Sequence, residues 1–176
     1  LHVVTGAHGQ PFLYRRSLQP NDVLSGWTDA VEVCTTDNID PKTGKEAGRQ
    51  TYLSLLCDGN DTLHIAYRQW RRGVDPYHNG AQYAALSYQR KPKGKPWEKP
   101  VPIVVPPYAG YSIYYHKLTH DRNGRLFLSY SYYSVNEAYR NDIPELYDYR
   151  AVVMSADGGN AWKLLTTGDL MRTEAE

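Results

Sequence analysis

Leu63-His64-Ile65-Ala66 is the segment that decides the fold, because it recurs twice, as Leu1-His2-Val3-Val4 and as Leu126-Phe127-Leu128-Ser129. The three copies begin 62 and 63 residues apart. Short alternating strands that recur at such a period are typical of a repeat architecture and not of a single compact motif. Each copy is followed by a further strand pattern and then by a tryptophan: Trp27, Trp97 and Trp162.

The middle unit shows the order of strands within one repeat. Residues 51–57 read as a mostly buried strand, and Asp58-Gly59-Asn60-Asp61 is a strong turn signal. Three more strands are predicted in this unit, at 62–68, 82–89 and 101–105. The same order is predicted in the last unit at 112–119, 125–132, 149–155 and 162–165, and in the first unit, without its opening strand, at 1–5, 11–17 and 30–34.

Four antiparallel strands per unit, with each unit burying its faces only against its neighbours, are typical of the blades of a β-propeller. The sequence therefore predicts an all-β fold in which 1–176 form one partial β-propeller domain. Its predicted parts are a partial blade at 1–48, a full blade at 49–110 and most of a blade at 111–176. Since propellers close with about 4–8 blades, we expect this chain to belong to a larger propeller, of seven blades. Helical periodicity is predicted only as a short turn at 136–140.

Composition excludes two classes of partner. The charges nearly cancel, with 20 Lys+Arg against 19 Asp+Glu, so no basic stripe predicts a nucleic-acid partner. No apolar run approaches the ~20 residues that a membrane-spanning helix needs. Because Leu1 lies inside a strand pattern, no signal peptide is visible, and a removed signal stays open. The two cysteines, Cys34 and Cys57, leave open either a disulfide or two unrelated buried thiols.

Tyrosine is the unusual residue type, with 16 tyrosines against two phenylalanines. A tyrosine offers a flat apolar face and a hydroxyl that stays hydrogen-bonded when half exposed. Such residues suit a groove that holds a polar polymer by stacking and hydrogen bonding. β-Sheets also favour tyrosine in general, so both interpretations stay open at this point.

One motif carries a family resemblance. Ser155-Ala156-Asp157-Gly158-Gly159-Asn160-Ala161-Trp162 resembles the Asp box, S-x-D-x-G-x-x-W, of sialidase-type, BNR-repeat propellers. We expect Asp157 and Ser155 to bond amides of the turn, a glycine to take a strained φ and Trp162 to pack beneath. The motif lies on the periphery of a blade, so it bears on fold and not on chemistry.

Three further elements resemble ulvan lyases and related propeller polysaccharide lyases. They are Thr5-Gly6-Ala7-His8-Gly9-Gln10-Pro11-Phe12-Leu13-Tyr14-Arg15, Gln50-Thr51-Tyr52 and Tyr67-Arg68. The resemblance implies a secreted or periplasmic, carbohydrate-active protein whose partners are an acidic, uronate-containing polysaccharide and the remaining blades of the propeller. It implies no certain cofactor and leaves a structural metal ion open. It also implies a further catalytic histidine from a part of the propeller that precedes this chain.

The predicted catalytic residues are His8, Tyr52 and Arg68. The repeat places them on neighbouring units, at one mouth of the channel that the first strands of the blades line. Elimination from a uronate requires a guanidinium to neutralise the carboxylate, a base to take the C5 proton and an acid to protonate the leaving oxygen. Arg68 is expected to be the neutraliser and Tyr52 the base or acid. His8 is expected to be the complementary proton-transfer or orienting group.

Four more residues are predicted to bind substrate. Trp70 and Arg71 follow Arg68 on what is expected to be a loop, and they would stack on or bind an anionic sugar. Tyr115 is the repeat equivalent of Tyr52 and, with His116, would extend a sugar subsite. Adjacent residues of a strand point to opposite faces, so Tyr115 and His116 are not expected to line the channel together. A metal site at His116, His120 and Asp121 lacks a clear third ligand and is not predicted.

Other interpretations remain. Tyr52 could pack in a core, Arg68 could form a salt bridge between blades, and His8 could have no role. A sialidase-like glycoside hydrolase usually needs paired carboxylates, and the first strands of the units carry none. A non-catalytic carbohydrate-binding propeller would need only the tyrosines. A polysaccharide lyase acting by β-elimination is the leading hypothesis, because these residue types occur together.

Overall fold

The computed structural model describes residues 1–6, 10–35, 44, 50–72, 81–106, 110, 113–133 and 148–170. These residues contain eleven strands and one four-residue helix. The predicted all-β class is therefore confirmed. The elements are β1 (His2–Thr5), β2 (Phe12–Arg16), β3 (Val31–Val33), β4 (Gln50–Cys57), β5 (Leu63–Arg72), β6 (Gln82–Lys91), β7 (Val101–Val104), β8 (Ile113–His120), β9 (Leu126–Tyr133), β10 (Asp148–Ser155), β11 (Lys163–Leu164) and α1 (Thr167–Leu170).

The strands form three antiparallel sheets in which neighbours follow chain order. The first sheet is β1-β2-β3, the middle sheet β4-β5-β6-β7 and the last sheet β8-β9-β10-β11. Every predicted strand has a counterpart in these sheets. The repeat holds in the register as well, since His2 pairs with Arg16 in the first sheet as His64 pairs with Arg90 in the middle sheet.

The middle sheet is buried on both faces, which explains its nearly continuous apolar strands. Leu63, Ile65 and Tyr67 of β5 pack towards the first sheet. Ala66, between them in sequence, packs with Leu118 of the last sheet, because side chains alternate along a strand. The three sheets therefore stack face to face in chain order, with a separate apolar core at each of the two junctions.

Aspartates close the turns between the first two strands of the middle and last sheets. Asp58 Oδ1 accepts hydrogen bonds from the amides of Asn60 and Thr62, at 2.9 and 2.8 Å. Asp121 Oδ1 accepts hydrogen bonds from the amides two and four residues later, both at 2.9 Å. The predicted turns are thus confirmed, and the same carboxylate geometry recurs one repeat later.

The Asp-box sequence forms the turn expected of it. Asp157 Oδ1 accepts hydrogen bonds from the Ser155 hydroxyl at 2.7 Å and from the Ala161 amide at 3.0 Å. Ser155 Oγ in turn accepts a hydrogen bond from the Gly159 amide at 2.8 Å. Gly159 has φ 95°, a backbone conformation that favours glycine. Trp162 packs against the core between the middle and last sheets.

Strand β5 is longer than predicted. β5 continues past Arg68 to Arg72, which pairs with Gln82 at the start of β6. The expected loop location of Trp70 and Arg71 is therefore wrong. The reason is that 69–72 and 82–85 satisfy each other's backbone hydrogen bonds, whatever the charge of their side chains. Helix α1 was not predicted, and the predicted turn at 136–140 lies outside the described residues. None of the described helical residues forms a segment that is long and apolar enough to cross a membrane.

Candidate functional site

A β-bulge occurs at the same place in the middle and last sheets. In β4 the pairing passes from Thr51 opposite Arg68 to Leu53 opposite Tyr67, which leaves Tyr52 as the extra residue. In β8 it passes from Tyr114 to His116, which leaves Tyr115 as the extra residue. A bulge bends its strand and redirects the side chain of the inserted residue. Tyr52 and Tyr115, which are equivalent in the repeat, are therefore the two inserted residues, and their side chains do not follow the alternation of the strand.

The inserted tyrosines contact each other across the junction between the sheets. Their ring centroids are 5.5 Å apart with an interplanar angle of 65°, an edge-to-face arrangement. Tyr52 is 36% exposed and Tyr115 is 63% exposed. Tyr52 also has φ 50°, which is uncommon for a residue with a bulky side chain. Two aromatic faces thus reach solvent side by side at one end of the sheets.

Arg68 lies directly behind this tyrosine pair. Its Nε donates a hydrogen bond to Thr51 Oγ1 at 2.9 Å, and its guanidinium carbon lies 4.7 Å from the centroid of the Tyr52 ring. A cation over an aromatic face is attracted by the ring quadrupole. Arg68 is only 3% exposed, so its charge is held in a largely dry site where electrostatic interactions are strong. We call Thr51, Tyr52, Arg68 and Tyr115 the tyrosine rim.

The other predicted binding residues divide between two faces. Arg68 and Trp70 are two apart on β5 and share the face towards the last sheet, whereas Arg71 lies on the opposite face. Arg71 Nη1 donates to Oε1 of Gln69 at 3.5 Å, and Gln69 lies on the same face of β5 as Arg71. Trp70 is half-buried beside the rim, and Arg71 is not brought to it.

His116 is turned inwards and not towards solvent. Its Nε2 donates a hydrogen bond to the carbonyl of Ala66 in the middle sheet at 3.2 Å. The lone pair is therefore on Nδ1, which is buried and has no hydrogen-bond partner in the described part of the chain. Burial lowers the pKa of His116 to about 4, and the nearby Arg68 charge acts in the same direction. His116 is thus a neutral imidazole between the sheets at neutral pH.

The structure does not test two of the predictions about the site. His8 lies outside the described residues. The structural metal ion also stays a prediction. Among the described ranges, no group of three or more His, Cys, Asp or Glu side chains is placed to hold a metal. Cys34 and Cys57 are both free thiols, the first buried and the second exposed.

Thr51 and a recurring histidine–tyrosine pair were missed from the sequence. His64 Nε2 lies 3.1 Å from Asp58 Oδ2, and its Nδ1 lies 2.6 Å from the Tyr88 hydroxyl. One repeat earlier, His2 Nδ1 lies 2.8 Å from the Tyr14 hydroxyl. Both pairs face the following sheet. The shared offset of the two histidines within their repeats was the signal that could have found them.

The arrangement at the rim can hold a flat polar ligand beside a buried cation. Two exposed rings offer stacking surfaces, and the guanidinium behind them is oriented by a hydroxyl and a ring. No carboxylate has been placed in this set, so paired-carboxylate hydrolysis has no candidates among the four rim residues.

Comparisons with known proteins show the fold alone. No protein-family model matches this sequence, and no curated protein matches it. A solved structure of a protein of unknown function from Dyadobacter fermentans is similar over 88% of this chain and 43% of that chain, with 15% identity and a TM-score of 0.56. The α-L-arabinanase of Penicillium chrysogenum, solved with arabinobiose, is similar over 93% of this chain and 44% of that chain, with 16% identity and a TM-score of 0.54. The chain thus spans less than half the length of either structure.

Proposed function

We propose that this chain forms consecutive blades of a β-propeller that acts on a carbohydrate. Three antiparallel sheets in chain order stack face to face, and the first strands β4 and β8 of the middle and last sheets lie beside each other. That is the arrangement of propeller blades around a channel. The fold likeness to an arabinanase supports a carbohydrate as the ligand class.

The tyrosine rim is the proposed binding site. The observation that carries this proposal is the contact of Tyr52 with both Tyr115 and Arg68, at 5.5 Å between ring centroids and 4.7 Å from ring centroid to guanidinium carbon. Exposed aromatic faces stack on the apolar faces of sugar rings, and a guanidinium is the natural partner of a carboxylate. An acidic polysaccharide supplies both groups.

For the chemistry, we propose β-elimination from a uronate residue of that polysaccharide. Arg68 would neutralise the carboxylate and so acidify the proton on C5. A base removes this proton, the electron pair forms the C4–C5 double bond, and the C4–O bond breaks. The leaving oxygen is then protonated by an acid. Tyr52 is the proposed base or acid, and His8 is its proposed partner in proton transfer.

The test is to incubate the full-length protein with ulvan and other uronate polymers and to follow the ultraviolet absorbance of an unsaturated uronate. We expect absorbance to rise with the native protein and to be lost in Arg68→Gln. Arg125→Gln is the matched control, because Arg125 lies in the exposed turn at the far end of the last sheet. Release of reducing ends without any absorbance would contradict elimination, and unchanged turnover in Arg68→Gln would contradict the role of Arg68.

A non-catalytic carbohydrate-binding propeller is the second candidate. The observation in its favour is the depth of Arg68, which is 3% exposed, because a polymer resting on Tyr52 and Tyr115 would not need to reach it. In that case a polysaccharide would bind to the protein and remain intact. Affinity measured together with product formation separates the two candidates.

A further inference from the structure

A second candidate site lies between the first and middle sheets, at the opposite end of the sheets from the tyrosine rim. It is a cleft of about 620 Å³. Its lining includes Arg16 at the end of β2, Lys91 at the end of β6 and Lys93 in the turn that follows, together with His2, Tyr14 and Asp61. We call it the basic cleft.

The junction between the middle and last sheets shows how the same positions are normally used. Arg90 is the repeat equivalent of Arg16, since each pairs with the histidine of its own sheet. Arg90 Nη1 donates to the carbonyl of Gly158 at 2.6 Å, and its Nη2 donates to Asn160 Oδ1 at 2.7 Å. Its Nε also donates to Glu98 Oε2 at 2.7 Å. Three oxygen atoms, two of them from the Asp-box turn, therefore surround this guanidinium.

At the first junction the Arg16 guanidinium makes none of these bonds to a described residue, although Gly94 of the turn after β6 also lines the cleft. The residue that corresponds to Glu98 is Thr28, whose amide bonds the carbonyl of Arg16 at 2.9 Å as the amide of Glu98 bonds that of Arg90. Lys93 stands two residues after its strand, where the last sheet has Asp157. Within the described part of the chain, the Arg16 guanidinium has no hydrogen bond or ion pair.

The charge balance of the cleft favours an anion. Its charged side chains include three cations, Arg16, Lys91 and Lys93, and one carboxylate, Asp61, which is already paired with Lys93 at 2.6 Å. The Lys91 ammonium has no hydrogen bond or ion pair to any other described residue. The pKa of His2 is lowered by burial and by surrounding positive charges, among them Lys91 and Arg16. Lys91 of the middle sheet and Arg16 of the first sheet therefore both lie close enough to His2 to affect its pKa.

We propose that the basic cleft binds a sulfate group carried by a saccharide, through Arg16 and Lys91. The ligand oxygens take the places that the Gly158 carbonyl, Asn160 Oδ1 and Glu98 Oε2 take around Arg90. Charge-assisted hydrogen bonds of this type are stronger than neutral ones, and a guanidinium binds planar or tetrahedral oxyanions in a bidentate manner. The site is separate from the tyrosine rim and does not depend on the proposed elimination, whereas the saccharide that carries the oxyanion rests on the proposed function.

The test is calorimetric titration of the full chain, at low ionic strength, with three probes: inorganic sulfate, a monosulfated disaccharide and its unsulfated parent. We expect the sulfated disaccharide to bind and its parent not to bind. Binding of inorganic sulfate as tightly as the disaccharide would overturn the saccharide part of the proposal and leave a site for a free anion. No binding of either sulfated probe would overturn the site.

Matched variants separate a built site from general attraction. Arg16→Gln and Lys91→Gln are each expected to weaken binding by about tenfold or more. Arg15→Gln removes the same charge from the neighbouring residue, which lies on the opposite face of β2, and is expected to leave affinity unchanged. An equal loss in Arg15→Gln and Arg16→Gln would overturn the proposal.

One further variant keeps every cation of the cleft but gives the Arg16 guanidinium an acceptor within the protein. Thr28→Glu places a carboxylate where Glu98 stands beside Arg90, so it should occupy the Arg16 guanidinium and weaken binding as much as Arg16→Gln does. Unchanged affinity in a folded Thr28→Glu protein, with circular dichroism as the check on folding, would contradict the role of Arg16.

Discussion

Tyr52 and Tyr115 occupy the same bulge of consecutive sheets, and their rings meet edge to face with centroids 5.5 Å apart. Neither ring is needed to fill a core, because both are substantially exposed. The Tyr52 ring carries the Arg68 guanidinium on its face, and the Tyr115 ring contacts the Tyr114 ring with centroids 5.5 Å apart. This geometry makes separate predictions for the ring and for the hydroxyl of Tyr52.

Replacing the rings should weaken carbohydrate binding. Tyr52→Ala and Tyr115→Ala are each expected to lower affinity for an acidic oligosaccharide by about two- to tenfold, since an aromatic contact contributes roughly 0.5–1.5 kcal/mol. Because the rings touch, the double variant should lose less than the product of the two single losses. Tyr52→Phe keeps the ring and should keep affinity, while losing turnover if the hydroxyl transfers a proton. Titration and the absorbance assay measure the two effects, and full affinity in both alanine variants would contradict the site.

Thr51 should act as a positioning residue for Arg68. Thr51→Val removes the acceptor of the Arg68 Nε hydrogen bond while keeping the shape of the side chain. We expect it to lower kcat/KM on a uronate polymer by about tenfold, with little effect on a methyl-esterified polymer that has no carboxylate to bind. Thr51→Ser keeps the hydroxyl and is the control. Equal losses on both polymers would point to a general structural role.

Gly159 should be indispensable to the junction between the middle and last sheets. It has φ 95°, and a Cβ at this position would collide with the Tyr88 side chain. Gly159→Ala is expected to destabilise the protein by at least about 2 kcal/mol. Gly124→Ala is the control, because Gly124 also has positive φ, 76°, but open space around it, so only about 1 kcal/mol of backbone strain is expected. Urea unfolding measures both, and equal losses would show that contact with Tyr88 is unimportant.

Arg90 and Arg16 should differ in their contribution to stability, although they are repeat equivalents. Arg90→Ala removes hydrogen bonds to Gly158, Asn160 and Glu98 and should cost about 1–3 kcal/mol. Arg16→Ala removes none within the described residues and should change the free energy of unfolding by less than about 0.5 kcal/mol. Chemical denaturation of the two variants measures both free energies of unfolding. A large loss of stability in Arg16→Ala would contradict the absence of side-chain bonds at Arg16.

His116 should make the protein sensitive to mild acid. Burial lowers its pKa from 6.5 to about 4, so the unfolded chain binds a proton at higher pH than the folded chain does. Its contribution to stability is therefore fully present above pH 6.5 and is lost as pH falls from 6.5 towards 4. The loss is roughly 3 kcal/mol at 1.36 kcal/mol per unit. His116→Phe should flatten the pH dependence of the unfolding midpoint across this window, and an unchanged slope would contradict the assignment.

The strands and turns were predictable from the sequence because their signals are local. Alternation identified β5 and β9, and aspartate–glycine or asparagine–glycine turns marked where their predecessors end. The bulges at Tyr52 and Tyr115 left no such signal, since no glycine marks them. A bulge is set by the pairing of two strands, and one strand read alone does not reveal it.

The site was predictable in part for the same reason. The repeat offset brought Tyr52, Arg68 and Tyr115 to one place, as the structure has them. The inward orientation of His116 depends on its bond to Ala66 in another sheet, which no spacing within β8 could indicate. The basic cleft was missed because its cations, Arg16 and Lys91, lie on two different sheets and far apart in sequence, so no local pattern marks it.

The inserted residue in each bulge has a further consequence for how this protein can change. Both faces of the middle sheet are occupied by packing, so a substitution at almost any regular position of β4 or β5 disturbs a core. Tyr52 stands outside that alternation, and Tyr115 does so in the next unit. On the proposed function, we therefore expect that one position per repeat can be substituted to alter carbohydrate binding with little disturbance of the folded framework.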